Sequence, residues 1–178
     1  TGETILVNAA AGGVGLILCQ WARNLGASVI GCVGSEAKAE VARAHGCAHT
    51  ILYREEDIVK KVREITDGKG VPVVYDSVGR DTFDSSIDCL APFGTLVSYG
   101  NASGPVEPFN PLMLGNKGSL FFTRQTLATH GATRELLEDA ANQLIDVVRS
   151  GAVKIKIKQT FPLSETAQAH RDLESRKT

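Results

Sequence analysis

The sequence predicts an α/β fold with a doubly wound, six-stranded parallel sheet and helices on both faces. Two observations support this prediction. Short apolar segments rich in β-branched residues alternate with amphipathic segments of helical period, and this alternation repeats six times along the chain. Several of the short segments are apolar on both faces, as strands covered by helices on both sides must be. We therefore expect right-handed crossovers between successive parallel strands.

The composition is that of an ordinary globular domain. The chain has 178 residues, of which 43% are hydrophobic and 22% charged, and its net charge is −1. A nearly neutral chain shows no bias toward nucleic acid or a membrane surface, and no apolar run approaches the roughly 20 residues of a membrane span. Four scattered cysteines without a C-x-x-C pair favour reduced thiols. We expect a cytoplasmic protein with no nucleic-acid partner and no membrane partner.

The first strand and helix enclose a glycine turn. Thr4 to Ala9 is predicted as a buried strand, and the helix that follows ends at Leu25-Gly26, where glycine is a common helix stop. One face of this helix is apolar, which predicts that it packs on the sheet. The apolar residues are Val14, Leu16, Ile17, Trp21 and Leu25.

Between them, Ala10-x-Gly12-x-x-Gly15 fits the Rossmann dinucleotide fingerprint with alanine at the first glycine position. Gly12 lets the backbone approach a pyrophosphate, Gly15 lets helix and strand pack closely, and the helix N-terminus offers free N–H groups. The strand before the motif and the helix after it are the context that supports this interpretation. A ligand-free turn and the glycine turn of a methyltransferase are the alternatives.

The remaining elements follow from the same periodicity and from turn residues. Ser35 can cap the second helix and Gly46 can end it, while Asp67-Gly-Lys-Gly70 is a turn. The predicted strands are Ser28 to Val33, His49 to Leu52, Val71 to Tyr75, Thr95 to Tyr99 and Ser119 to Thr123. The predicted helices are Glu36 to His45, Glu55 to Thr66, Asp81 to Leu90 and Arg134 to Arg149, with a short turn near Leu112.

The last part of the chain differs from the rest. Lys154 to Lys158 alternates charged and apolar side chains like a one-sided strand, but no helix connects it to a neighbouring strand. Because the chain also opens at Thr1 without methionine, we expect it to be a piece of a larger protein. We expect residues 1–150 to form the dinucleotide-binding domain and 151–178 to return to a missing catalytic domain.

The end of the second strand predicts which dinucleotide binds. NAD-dependent enzymes place Asp or Glu there to bind the adenosine ribose, whereas this chain has Gly34 and Ser35, followed by Lys38. Without the carboxylate a 2′-phosphate is not repelled, and Lys38 supplies a countercharge. Tyr53 and Arg54 could close over the same end. We therefore expect NADPH as the cofactor; the alternative is that Lys38 is only a solvated helix lysine.

Six segments in order resemble the NADPH:quinone oxidoreductases, zinc-free members of the medium-chain dehydrogenase/reductase superfamily related to zeta-crystallin. The resemblance covers essentially the whole chain. It implies a cofactor-binding half, with hydride transfer from NADPH to a quinone and a GroES-like catalytic domain elsewhere. The segments are Ala9-Ala-Ala-Gly-Gly-Val-Gly15, Val33-Gly-Ser-x-x-Lys38, Tyr53-Arg-Glu-Glu-Asp57, Val74-Tyr-Asp-Ser-Val-Gly79, Tyr99-Gly-Asn101 and Ala169-His-x-x-Leu-Glu-Ser-Arg176.

The resemblance also implies a set of cofactor contacts. It adds Gly13 and Val14 to Gly12 and Gly15 at the pyrophosphate, and it assigns the 2′-phosphate end to Gly34, Ser35, Lys38 and Tyr53. The adenosine side would be lined by Ser77, Val78 and Gly79, the nicotinamide ribose by Gly100 and Asn101, and the nicotinamide amide by the backbone of Phe122, Thr123 and Gln125. Arg176 would reach the phosphates, unless it is a surface arginine at a frayed end.

We identify no catalytic residue and no metal site in the sequence. The four histidines lie on separate elements. Cys47 and His49 are expected to share one face of a strand without a further ligand, so we interpret them as structural. Asp76, at the end of the fourth strand, is a candidate general base by position only, and we interpret it as a carboxylate that fixes a loop.

Two other functions remain open. One is a zinc-type alcohol dehydrogenase or an enoyl reductase of the same superfamily, although the cysteine-rich zinc lobe of the former is absent from the sequence. The other is a non-enzymatic NADPH-binding protein, such as a crystallin or an RNA-binding protein. No interleaved basic and aromatic patch supports RNA binding.

The apolar run from Ser119 to Thr123 predicts an assembly. It comes last in the predicted sheet and lacks the charges or prolines that protect an edge strand. We expect a symmetric homodimer in which two copies of this strand pair antiparallel, as the resemblance also implies. The alternative is that the missing domain covers the edge.

Overall fold

The computed structural model describes residues 2–157 and 159–175. Six strands alternate with helices, and further helices follow the sixth strand. The strands are β1 Thr4–Val7, β2 Ser28–Val33, β3 Cys47–Leu52, β4 Val71–Asp76, β5 Leu90–Ser98 and β6 Phe121–Arg124. The helices are α1 Gly13–Asn24, α2 Glu36–Ala44, α3 Ile58–Ile65, α4 Phe83–Asp88, α5 Leu112–Asn116, α6 Leu127–His130, α7 Arg134–Arg149 and α8 Thr166–Glu174, with a 3₁₀ turn at Leu163–Glu165.

The strands form one six-stranded sheet in the order β3-β2-β1-β4-β5-β6, and every neighbouring pair is parallel. The predicted doubly wound parallel sheet is therefore confirmed. The strand order reverses between β1 and β4. Ligands of such folds bind in the crevice outside the carboxyl ends of the strands, at this switch point.

The core has two parts, one on each side of the sheet. On β1, Leu6 belongs to one cluster of buried side chains, while Ile5 and Val7 belong to the other. This alternation explains why β1 is apolar at each position from Ile5 to Val7, because both of its faces are covered there. Burial of each such side chain contributes about 1.5–3 kcal/mol.

Several strand boundaries differ from the sequence prediction by one or two residues, and the start of β5 differs by five. β1 ends at Val7, because Ala9 adopts a left-handed backbone conformation (φ 53°) that starts the turn into α1. β5 begins at Leu90, where the sequence predicted the end of a helix. The strand continues through Pro92, Phe93 (φ 62°) and Gly94 because the pairing with β4 shifts register between Val71 and Val73. Proline and glycine at such an irregularity resemble a turn in the sequence.

β3 contains a second irregularity. Its pairing with β2 shifts between Val29 and Ile30, which face Cys47 and His49. Cys47 is buried and His49 is exposed, so the prediction that they share one face was wrong. The extra residue at the irregularity reverses the alternation of side chains.

Two further segments complete the comparison. The third helix begins at Ile58 rather than Glu55, because the Asp57 side chain caps it by accepting a hydrogen bond from the Lys60 N–H at 2.9 Å. Residues 154–157 form no strand within the described chain, and Lys158 lies outside the described residues. Pairing of this segment with another part of the protein stays a prediction.

Candidate functional site

The turn from β1 into α1 carries the glycine motif. Gly12 caps α1, and the first hydrogen bond of the helix runs from the Leu16 N–H to the Gly12 carbonyl at 2.9 Å. The N–H groups of Gly13, Val14 and Gly15 precede that bond, so they belong to the set that a helix leaves without an intrahelical acceptor. No acidic residue lies in the first turn of α1. This end of the helix therefore suits an anion.

The glycines of this turn differ in what surrounds them. A Cβ added at Gly15 would lie 2.4 Å from the Ala9 carbonyl oxygen and 2.8 Å from that of Ala10. A Cβ added at Gly13 would meet nothing within 4 Å. Gly15 is therefore required by the packing of α1 on the turn, whereas Gly13 leaves open space beside the free N–H groups. This space is what a bound phosphate group needs.

At the end of β2, Gly34 lies beneath Tyr53. A Cβ added at Gly34 would lie 2.7 Å from the Tyr53 hydroxyl oxygen, and the Tyr53 N–H donates to the Val33 carbonyl at 3.1 Å. The Arg54 guanidinium carbon lies 6.0 Å from the centre of the Tyr53 ring. The predicted closure of Tyr53 over the end of β2 is thus consistent with this contact.

Ser35 stands at the N-cap of α2, as its position in the sequence suggests, but its side chain makes no capping hydrogen bond. Its carbonyl accepts the first helical bond, from the Ala39 N–H at 3.0 Å. Lys38 is exposed in the first turn of the helix. Both side chains are therefore accessible at the same end of α2 as Gly34.

Asp76 is a buried carboxylate at the end of β4. It is 2% exposed, and its Oδ1 accepts from the N–H groups of Val78 and Gly79 at 2.7 and 3.1 Å. Its Oδ2 accepts from the hydroxyls of Thr82 and Ser86 and from the Asn8 amide, at 2.7, 2.8 and 3.2 Å. Five donors engage both oxygens, which supports the interpretation as a loop-fixing carboxylate.

Asn8, like Thr82 and Ser86, belongs to this network and was not indicated by the sequence. It is 3% exposed, and its amide donates to Ser86 Oγ at 2.8 Å as well as to Asp76. Its N–H also donates to the Tyr75 carbonyl at 2.9 Å. The amide therefore ties the β1–α1 turn to the segment after β4. A polar residue directly after a buried strand was the signal that could have indicated it.

The segments after β4 and β5 pack backbone against backbone. A Cβ on Gly100 would lie 2.4 Å from the Ser77 carbonyl oxygen, and one on Gly79 would lie 2.4 Å from that of Gly104. The Ser103 N–H donates to the Val78 carbonyl at 2.8 Å. The predicted sets Ser77 to Gly79 and Gly100 to Asn101 are thus brought together, with Asn101 exposed.

Tyr99 lies between these two segments. Burial raises the pKa of Tyr99, and a hydrogen bond with Ser77 partly opposes that rise. Its N–H donates to the Asp76 carbonyl at 2.8 Å. The backbone N–H of Tyr99, together with the hydrogen bond of its side chain to Ser77, therefore links the ends of β4 and β5.

The predicted residues around β6 have different surroundings. The Phe122 ring packs edge-on against Phe83 and Phe109, with centroids 5.9 and 5.4 Å apart, so its side chain is part of the core. Gln125 donates to Thr123 Oγ1 at 2.9 Å and contacts His130. The Arg124 side chain, within the predicted stretch from Phe122 to Gln125, donates to the Gly100 carbonyl at 3.1 Å and links the ends of β5 and β6. Arg176 lies outside the described residues.

Other features of residues 2–157 and 159–175 lie away from this edge or are absent from these residues. Within this described part of the chain, no group of three or more His, Cys, Asp or Glu side chains could hold a metal ion. None of its helices is long and apolar enough to cross a bilayer. A cavity of about 470 Å³, lined by Arg23, His45 and Lys154 among others, lies at the opposite end of the strands.

Comparisons with known proteins agree with this geometry. A quinone oxidoreductase of Pseudomonas aeruginosa is 52% identical over 177 residues, which cover 99% of this chain and 54% of that protein. A 2-haloacrylate reductase of a Burkholderia species is 48% identical over 178 residues, 99% of this chain and 54% of that protein. The chain thus spans about half the length of these curated relatives.

A solved structure shows the same fold. The crystal structure of Escherichia coli quinone oxidoreductase complexed with NADPH superposes with a TM-score of 0.94 at 50% identity, covering 99% of this chain and 55% of that one. Residues 13–145 match the family model described as "Zinc-binding dehydrogenase". The match runs from the glycine turn through most of α7. The chain therefore belongs to the zinc-binding dehydrogenase family.

Proposed function

We propose that this chain binds NADPH at the carboxyl edge of its sheet and is the cofactor-binding part of a quinone oxidoreductase. One observation carries the proposal: the β1–α1 turn is closed at Gly15 and open at Gly13, beside three N–H groups that no helical acceptor uses. The resemblance to an NADPH complex over nearly the whole chain supports the choice of ligand.

The proposed contacts follow the edge of the sheet. The pyrophosphate lies on Gly12, Gly13, Val14 and Gly15, and the 2′-phosphate lies near Gly34, Ser35, Lys38 and Tyr53. The uncharged end of β2 and the exposed Lys38 support this assignment. The remaining contacts are Ser77, Val78 and Gly79 for adenosine, Gly100 and Asn101 for the nicotinamide ribose, and Phe122, Thr123 and Gln125 for the nicotinamide amide.

In this proposal the chain orients the cofactor and supplies no catalytic side chain. NADPH supplies the hydride, and the backbone segments after β1, β4 and β5 fix its position. Residues 1–150 form the cofactor domain, and residues 151–178 lead toward a GroES-like catalytic domain that would complete the quinone cleft. Four buried, free cysteines among the described residues support a reducing, cytoplasmic setting.

We further propose a homodimer through β6. The strand lies at the outer edge of the sheet, and Phe121 on it is 59% exposed. An outer strand with an exposed aromatic side chain offers backbone groups and apolar surface for pairing with a second copy.

A comparison also supports a second class of hydride acceptor, the activated alkenes. The 2-haloacrylate reductase is nearly as similar to this chain as the quinone oxidoreductase, and its name refers to an activated alkene. Because the catalytic domain completes the cleft in this proposal, assays of NADPH oxidation with 1,4-benzoquinone and with 2-chloroacrylate separate the two in a protein that contains both domains. Faster oxidation of NADPH with the alkene would contradict the assignment of a quinone as the acceptor, and it would leave the proposal of NADPH as the cofactor unaffected.

Cofactor binding itself is tested by titration, followed by the fluorescence of the reduced nicotinamide. We expect saturable binding of NADPH to the wild type and its loss in Gly13→Asp, because the new carboxylate would occupy the phosphate position. The open space at Gly13 allows this variant to fold. A wild type without saturable binding would contradict the proposal.

A further inference from the structure

An ion pair fixes the only carboxylate in the first turn of α2. Arg43 Nη2 contacts Glu36 Oε1, while Arg43 Nη1 donates to Thr50 Oγ1 on β3 at 2.7 Å. Glu36 and Arg43 are seven residues apart, so they lie two turns apart on the same face of the helix. The bond to Thr50 anchors the guanidinium to the neighbouring strand, and the guanidinium in turn holds the carboxylate on that side of α2.

Glu36 lies beside the groups that would bind an anion at the start of α2, so its contact with Arg43 bears on anion binding there. Glu36 directly follows Ser35 and lies two residues before Lys38. A carboxylate in the first turn of a helix is attracted to the free N–H groups there. Those N–H groups, with the Ser35 hydroxyl and the Lys38 ammonium, are also what a 2′-phosphate would use. An unpaired Glu36 would therefore compete with the phosphate for its donors and repel it.

We propose that Arg43 is a specificity-determining residue: it holds the Glu36 carboxylate away from the 2′-phosphate and thereby preserves the preference for NADPH over NADH. The inference rests on the cofactor proposed above. Arg43 is a positioning residue in this account, because it acts through Glu36 and does not touch the cofactor.

A merely structural ion pair would behave differently. Both side chains are partly exposed, at 44% and 61%, and exposed pairs contribute little to stability. If the pair only stabilised α2, its removal would leave the ratio of NADPH to NADH affinity unchanged. The affinity ratio is therefore the measurement that separates the two roles.

The experiment is calorimetric titration of NADPH and of NADH into four proteins: the wild type, Arg43→Gln, the double variant Glu36→Gln/Arg43→Gln, and Arg23→Gln. Arg23, like Arg43, lies in the last turn of its helix, and it lines the cavity at the end of the sheet opposite the proposed cofactor site. It is the control for a loss of one positive charge. Each titration is repeated at high salt, because repulsion between exposed charges is screened there.

We expect Arg43→Gln to weaken NADPH binding on the order of fivefold at low ionic strength, as expected for a released charge near a phosphate, and to leave NADH within about twofold. The double variant should recover the affinity of the wild type, and Arg23→Gln should match it. NADPH affinity unchanged in Arg43→Gln would overturn the inference, as would a double variant that does not recover. A wild type without any preference for NADPH would instead refute the proposed cofactor.

Discussion

The hydroxyl of Tyr53 occupies the space above Gly34, 2.7 Å from the position that a β-carbon would take there. The contact joins the ends of β2 and β3 where the sequence lacks the acidic residue of an NAD site. Glycine is therefore needed at position 34 for the tyrosine to close over the strand, besides leaving the site uncharged.

Replacement of Gly34 by alanine should displace the Tyr53 ring. Because the ring end can move, we expect the free energy of unfolding to change by no more than about 1 kcal/mol. Loss of the hydroxyl's position should weaken NADPH binding by roughly two- to tenfold, the value of one hydrogen bond. Titration of Gly34→Ala beside Tyr53→Phe, which removes the hydroxyl alone, checks this. Wild-type affinity in both variants would exclude Tyr53 from the site.

The two central glycines of the first turn should respond in opposite ways to alanine. Gly15→Ala places a Cβ against two backbone carbonyls, and overpacking of this kind costs about 1–3 kcal/mol. Gly13→Ala meets no atom within 4 Å, so its stability should stay near that of the wild type. Chemical denaturation of both variants provides the measurement. Equal stabilities would show that α1 does not pack on the turn as described.

Asp76→Asn should destabilise the fold. One carboxylate oxygen accepts from Thr82, Ser86 and Asn8, and the other accepts from Val78 and Gly79. In asparagine an NH₂ group, which cannot accept, replaces one of these oxygens, so one of the two groups of donors loses its acceptor. Leaving buried donors without an acceptor costs about 1–3 kcal/mol each, so we expect a loss of roughly 3 kcal/mol in denaturant titrations. Asp84→Asn, an exposed aspartate on α4, is the control. A variant of Asp76 as stable as this control would contradict the loop-fixing role.

The sequence was sufficient to predict the parallel sheet and many of the residues at the carboxyl ends of its strands. The features that it did not predict have physical reasons. The apolar segments indicated six strands, because strands of a sheet that is covered by helices on both faces must be apolar. It could not show that Leu90 to Gly94 stays in the sheet, because Pro92 and Gly94 are also turn residues and only the register with β4 shows that they form an irregularity. The Asn8–Asp76 bond joins residues 68 positions apart, and no local pattern encodes such a pairing.

The two phenylalanines of β6 should affect assembly and folding separately. Phe121 is 59% exposed, so Phe121→Lys should place a charge in the proposed dimer interface while the monomer stays folded. Phe122 belongs to the aromatic core cluster, so Phe122→Lys should lower stability instead. Light scattering measures the mass of the assembly, and thermal unfolding measures the stability of each variant. A wild type that is monomeric at high micromolar concentration would refute the dimer.

The central claim is that the end of β2 selects NADPH, and the most direct measurement is calorimetric titration of NADPH and NADH into the wild type and Lys38→Ala. A charge-assisted contact to phosphate contributes roughly 1.5–3 kcal/mol, so the variant should lose about tenfold or more in NADPH affinity with little change for NADH. The wild type should bind NADPH more tightly than NADH. Equal affinities of the wild type for the two cofactors would contradict the claim.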